Sequence, residues 1–186
     1  MDKEKFWALI DKARGSVSSW EDMAAPLTDE LAQLDKKDIL RWYQILSLYQ
    51  KLSYKNKLWA AAYVINGGCS DDGFDYFRGW LTAQGKEVFL NALKNPDSLA
   101  NTDICEDDVT FEYILYAAYH AYCKKTNVED SDEFYNELDK YPLPKEEENA
   151  IKSEIQYASD IDANWDEDDS KMMYKLLPKL CDIYEW

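Results

Sequence analysis

Apolar residues recur three and four positions apart along most of this chain, and no stretch shows the strict alternation of a half-buried strand. From Lys3 to about Arg14, Phe6, Leu9, Ile10 and Ala13 form one stripe that Trp7 widens. Gly15 follows, where a left-handed cap is expected. In "SSWEDMAAPLTDELAQL", Ser19 stands three residues before Asp22 as a weak capping box, so a second helix is expected from about Asp22 or Pro26 to Leu34. "DKKDILRWYQILSLYQKLS" carries the strongest signal, with Asp35 as N-cap and Ile39, Trp42, Tyr43, Leu46, Tyr49 and Leu52 on one face. The next helix, from about Lys55 to Ile65, contains three consecutive alanines that let a neighbour approach closely, and Asn66-Gly67-Gly68 stops it.

Ser70 then caps a helix whose first turn holds Asp71 and Asp72, favourably placed at the positive end of the helix dipole. Phe74, Phe77, Trp80 and Leu81 are its inner stripe. A short helix follows from Lys86 to Lys94, then a turn at "NPDSLAN" and an acidic connection at 103–108. "VTFEYILYAAYHAYCKK" reads as helix, with Phe111, Ile114, Leu115, Ala118 and Tyr122 inward. "DSDEFYNELDKY" is a shorter helix stopped by Pro142 and Pro144, "KEEENAIKSEIQYA" a polar one. "DSKMMYKLLPKLCDIYEW" is helical with a break at Pro178. The pattern predicts an all-α fold, an irregular orthogonal bundle of about eight to ten helices with no significant sheet. One domain spans 1–186, with a core at 1–140 and an acidic helical extension at 141–186.

Charge changes this picture more than composition does. The formal net charge is −16, yet residues 1–100 carry 13 basic and 14 acidic side chains while residues 101–186 carry 8 and 23. The field therefore belongs to the C-terminal half. It repels nucleic acid and anionic membrane and attracts basic partners, although an acidic surface also serves solubility alone. The four cysteines are far apart and His120 is the only histidine, so zinc and dithiol motifs are missing and no cofactor or metal is expected. No apolar run approaches membrane-spanning length and the first residues lack a signal-peptide core, which predicts a cytoplasmic protein with reduced thiols.

Three stretches compete for function. In "NGGCSDDGFDYFRGW", Asp71, Asp72 and Asp75 could serve as acid and base, Tyr76 and Arg78 could bind a ligand, and Cys69 lies near a helix N-terminus. The same residues suit a helix corner, with Ser70 as cap and Asp75 and Arg78 pairing at i, i+3. In "DIDANWDEDDSK", Asp160, Asp162, Asn164, Asp166 and Asp168 match alternate positions of a calcium loop. Trp165 replaces its glycine, however, and Lys171 its bidentate glutamate, so a solvated acidic loop is the expectation. Tyr113, Tyr116, Tyr119 and Tyr122 recur every third residue, either as core or as a contact stripe beside His120.

The segment "LWAAAYVINGGCSDDGFDYFRGWLTAQGKEVFLNALKNPDSLA", with "FWALID" before it and "FEYILYAAYHAY" after it, resembles the bacterial domain-of-unknown-function family 4240 over roughly residues 1 to 125. The resemblance implies a small, mostly helical cytoplasmic protein. It transfers no activity, only the motif positions Asn66, Gly67, Gly68, Cys69, Ser70, Asp71, Asp72, Gly73, Asp75, Tyr76, Phe77 and Arg78.

Taken together, the sequence favours a non-enzymatic interaction module, immunity-like in its size and charge. It would dock a basic protein through Tyr116, Tyr119, Asp166, Asp168 and Asp169. The alternative is a small-ligand-binding or hydrolytic site at the corner, built on Asp71, Asp72, Asp75, Tyr76 and Arg78. It requires those side chains to converge on one pocket. A weaker option is a nucleic-acid mimic whose carboxylates are spaced like phosphates.

Overall fold

The computed structural model describes residues 1–102, 104, 109–128 and 131–186. Among them the chain is all-α, with no strand. α1 (Lys3–Arg14) starts where the Asp2 carboxylate accepts from the Lys5 amide at 2.8 Å, and it buries Phe6, Trp7, Ile10 and Ala13. It ends at Gly15, which is right-handed (φ −69°) and not left-handed: the Gly15 amide still reaches the Asp11 carbonyl at 2.9 Å, so the helix simply runs out. A 3-10 turn at Trp20–Met23 leads into α2 (Ala24–Ala32), with the Ser19 hydroxyl accepting from the Glu21 amide and the Ser19 carbonyl from the Asp22 amide. α3 (Lys36–Leu52) is capped by Asp35 and is buried along Ile39, Trp42, Leu46 and Tyr49, as its periodicity predicts.

α4 (Asn56–Ile65) buries all three of its alanines. α5 (Asp71–Ala83) and α6 (Lys86–Lys94) follow, then a 3-10 turn at Pro96–Asn101. The stretch after Val109 departs from the expected helix. It is extended to Phe111, passes through a 3-10 turn at Glu112–Leu115, and becomes helical only in α7 (Ala117–Thr126). α7 packs against α2 and α3 and ends at a left-handed Asn127.

α8 (Ser131–Lys140), α9 (Lys145–Glu154), α10 (Ser170–Leu176) and α11 (Pro178–Ile183) complete the chain, with the break before Pro178 where it was expected. Of the acidic connection expected at 103–108, all but Ile104 lies outside the described residues.

The C-terminal segment is part of the same packing. Ile151, Ile155, Met173, Leu177 and Leu180 join the core that also holds Phe6, Trp42 and Trp80. Polar ties add to this. Gln44 donates to the Tyr141 carbonyl at 2.8 Å, the Lys57 amide to the Ile161 carbonyl at 2.8 Å, and Lys3 and Lys86 both pair with Glu154. Asp97, in the 3-10 turn after α6, accepts from the amides of Lys179 and Leu180 at 3.0 and 3.1 Å and so caps α11 from across the fold. No helix among the described residues is long and apolar enough to cross a membrane.

Candidate functional site

The corner between α4 and α5 is built by backbone chemistry. Gly67 and Gly68 take φ of 63° and 141°, which side-chain-bearing residues rarely adopt, and the Gly68 amide closes the turn on the Tyr63 carbonyl at 2.9 Å. Ser70 then accepts from the Gly73 amide at 3.1 Å and starts α5. The five residues singled out at this corner divide among different partners. Asp71 accepts from the Tyr54 hydroxyl at 2.7 Å, and this bond is the main reason the Tyr54 phenol is held above its usual range. Asp75 forms an ion pair with Arg78. Arg78 itself is only 4% exposed: it donates to the Phe74 and Gln50 carbonyls, and its guanidinium lies 4.8 Å from the rings of both Tyr54 and Phe74. Burial lowers its pKa, and Asp75 opposes that shift.

Tyr76 belongs elsewhere. Its carbonyl accepts from the Phe111 amide at 2.9 Å, and its ring lines a cleft of about 390 Å³ with Trp20, Glu21, Glu112 and Tyr113. Asp72 is exposed in the first turn of α5.

The corner's polar groups thus hold structure together. The Asn66 side chain accepts from the Val109 amide at 3.0 Å, one residue pair before the Phe111–Tyr76 bond. Gly79 clears the way for this segment, because a Cβ there would sit 2.4 Å from the Phe111 carbonyl oxygen. These long-range bonds take up the backbone of residues 109–111, and that is why the predicted helix starts late.

The same shift divides the tyrosine stripe. Tyr113 is 67% and Tyr116 44% exposed, whereas Tyr122 is fully buried. Tyr116 and Tyr119 do come together, in a groove of about 260 Å³ that Tyr43, Leu115 and Tyr135 complete.

The acidic loop after α9 folds back over α4. Asp160 pairs with Lys57 at 3.0 Å and Asp162 with Lys55 at 3.2 Å. The first two positions of the calcium-loop spacing are therefore engaged by lysines, and among the described residues no three acidic, cysteine or histidine side chains gather as a metal site. The hydrogen bond from Lys57 keeps the Asp160 carboxyl below its usual range. Asp166 accepts from the Asp168 amide at 3.0 Å, and Asp169 caps α10 through the Met172 amide at 3.1 Å. Asp166, Glu167, Asp168 and Asp169 are all exposed, and none is in an ion pair among the described residues.

Sequence reasoning missed one arrangement altogether. The loop forms one wall of a cleft of about 370 Å³ against the corner. Trp59, Tyr63 and Cys69 line it from the corner side, Asn164, Trp165 and Glu167 from the loop. The Trp59 indole donates to the Cys69 carbonyl at 2.9 Å and stacks on Phe74, with centroids 5.1 Å apart and planes 6° from parallel. Tyr63 is 5.3 Å from Trp165 and 5.6 Å from Trp186. The tryptophan inside the aspartate run, Trp165, was the available signal: an apolar ring in a solvated acidic loop needs something to pack on.

A family model described as a protein of unknown function (DUF4240) matches residues 1–124. The match includes the whole corner and stops before the acidic loop. No curated protein and no solved structure matches the chain.

Proposed function

We propose, for a chain that belongs to the DUF4240 family of unknown function, a non-enzymatic role in the bacterial cytoplasm: an acidic module that docks a basic protein. The observation that carries this reading is the run Asp166–Asp169, four consecutive exposed carboxylates without a cation, beside lysines that already neutralise Asp160 and Asp162. Like charges so close repel one another, and a basic surface relieves that repulsion while steering encounter. Toxin neutralisation is one form such docking takes. The corner reading has less support, because Asp71, Asp75 and Arg78 are engaged by Tyr54, by each other and by backbone carbonyls.

Affinity capture from host lysate at low ionic strength, followed by a salt step, tests the reading. A basic protein should be retained and then released as the Debye length shrinks from about 10 Å to about 3 Å between 0.1 and 1 M salt. The variant Asp166→Asn/Asp168→Lys/Asp169→Asn keeps both local acceptors yet changes the charge, and should slow association. Equal capture by this variant, or binding indifferent to salt, would rule out docking through the loop.

A further inference from the structure

We propose that the cleft between the corner and the acidic loop is the anchor of this surface, and that it receives one arginine side chain of the basic partner; this rests on the docking reading above. Three aromatic rings, Trp59, Tyr63 and Trp165, line the cleft. The faces of such rings carry partial negative charge and attract a cation laid over them. Two of the rings are fixed before any ligand arrives. Phe74 and the Cys69 carbonyl hold Trp59, and Trp186 and Trp165 flank Tyr63. Preorganised walls lower the ordering cost of binding.

Glu167 supplies the charge at the rim. It is exposed and in no ion pair among the described residues, with Asp166 and Asp168 on either side. The volume of about 370 Å³ suits one long side chain and is too small for a helix.

Arginine fits better than lysine for two reasons. Its guanidinium is planar and weakly hydrated, so it stacks on rings at little desolvation cost. Its N–H fork can also use several acceptors at once, here the Glu167 carboxylate with the side-chain carbonyl oxygens of Asn56 and Asn164, residues that also line the cleft. The protein makes this kind of contact internally, where the Arg78 guanidinium lies 4.8 Å from both Tyr54 and Phe74. The loop's two halves divide the work. Asp160 and Asp162 fasten it to Lys57 and Lys55, and the unpaired half carries Trp165 and Glu167 to the cleft.

The test uses the full chain with an oligoarginine peptide and an oligolysine peptide of equal length. Affinity is measured by titration, and the tryptophan indole N–H signals are followed by NMR. Both peptides should bind with steep salt dependence. Oligoarginine should bind roughly fivefold or more tightly and shift the indole signals of Trp59 and Trp165. Trp165→Ala should bring oligoarginine down to the oligolysine level and leave oligolysine within about twofold. Glu167→Gln, on an exposed side chain that leaves the walls intact, should also reduce the arginine preference. Equal affinities with unmoved indole signals would overturn the arginine anchor while leaving acidic docking in place. Binding by neither peptide at low salt would remove both.

Discussion

Replacing Gly79 with alanine isolates what the corner does for the rest of the fold. Gly79 is buried in the middle of α5, where alanine would ordinarily stabilise the helix by about 1 kcal/mol. Here the added Cβ would lie 2.4 Å from the Phe111 carbonyl oxygen and 3.0 Å from a methyl of Ile114. The nearest obstacle is backbone, so the 109–115 segment must retreat by about 1 Å to reach ordinary van der Waals separation. Overpacking of this kind costs about 1–3 kcal/mol. Stretching the 2.9 Å bond from Phe111 to the Tyr76 carbonyl costs about 1 kcal/mol more. The close approach outweighs helix propensity, leaving a net loss of about 2 kcal/mol, or about 4–8 °C in Tm for a chain of this size.

Urea unfolding followed by tryptophan fluorescence gives the stability, and hydrogen exchange at the Phe111 amide reports whether its bond is the one lost. Gly67→Ala is the comparison. Nothing lies within 4 Å of its added Cβ, so it should cost only the left-handed backbone, about 1 kcal/mol, with Phe111 still protected. A Gly79→Ala protein as stable as the parent, or more so, would refute the packing of residues 109–115 on α5.

Two further outcomes follow from the ties to the C-terminal segment. Burial pushes the Glu154 carboxyl up, but hydrogen bonds from Lys3, Lys86 and Tyr49 outweigh it and hold the pKa below the ordinary 4.5. Its stabilisation is therefore complete above that value and lost as pH falls through the lower folded pKa. Glu154→Gln should lower stability at pH 7 by about 1–3 kcal/mol, and the gap to the parent should close in acid; an unchanged gap at low pH would exclude this linkage. Asp97→Ala should cost about 1–2 kcal/mol and free α11, which a loss of amide protection at Lys179 and Leu180 would show.

Much of the local structure was legible because its causes lie within a few residues of one another. Asp35 and Ser70 cap through amides three positions ahead, the α3 stripe repeats every turn, and Gly67-Gly68 carries its own turn chemistry. The Asp75–Arg78 pair was readable for the same reason. The candidate site was less so. Tyr116 and Tyr119 do share a groove, but Asp71 and Tyr76, five residues apart on one helix, serve different neighbours.

The sequence by itself determined the all-α class, the helix starts that a side-chain cap marks, at Asp35 and Ser70, and the uneven charge, since hydrophobic period, capping and composition are local or additive properties. Tertiary structure decided what those helices leave between them. The Phe111 backbone displaces a helical turn because Gly79 lets it approach, and Asp97 caps a helix 82 residues further on. Trp59 and Trp165 face one cleft because the acidic loop is held on α4, by the Lys57 amide on the Ile161 carbonyl, by buried Ile161 and by the pairs of Lys55 and Lys57. Each of these pairs distant residues whose partners are set by how the packed surfaces meet, and no spacing along the chain records that.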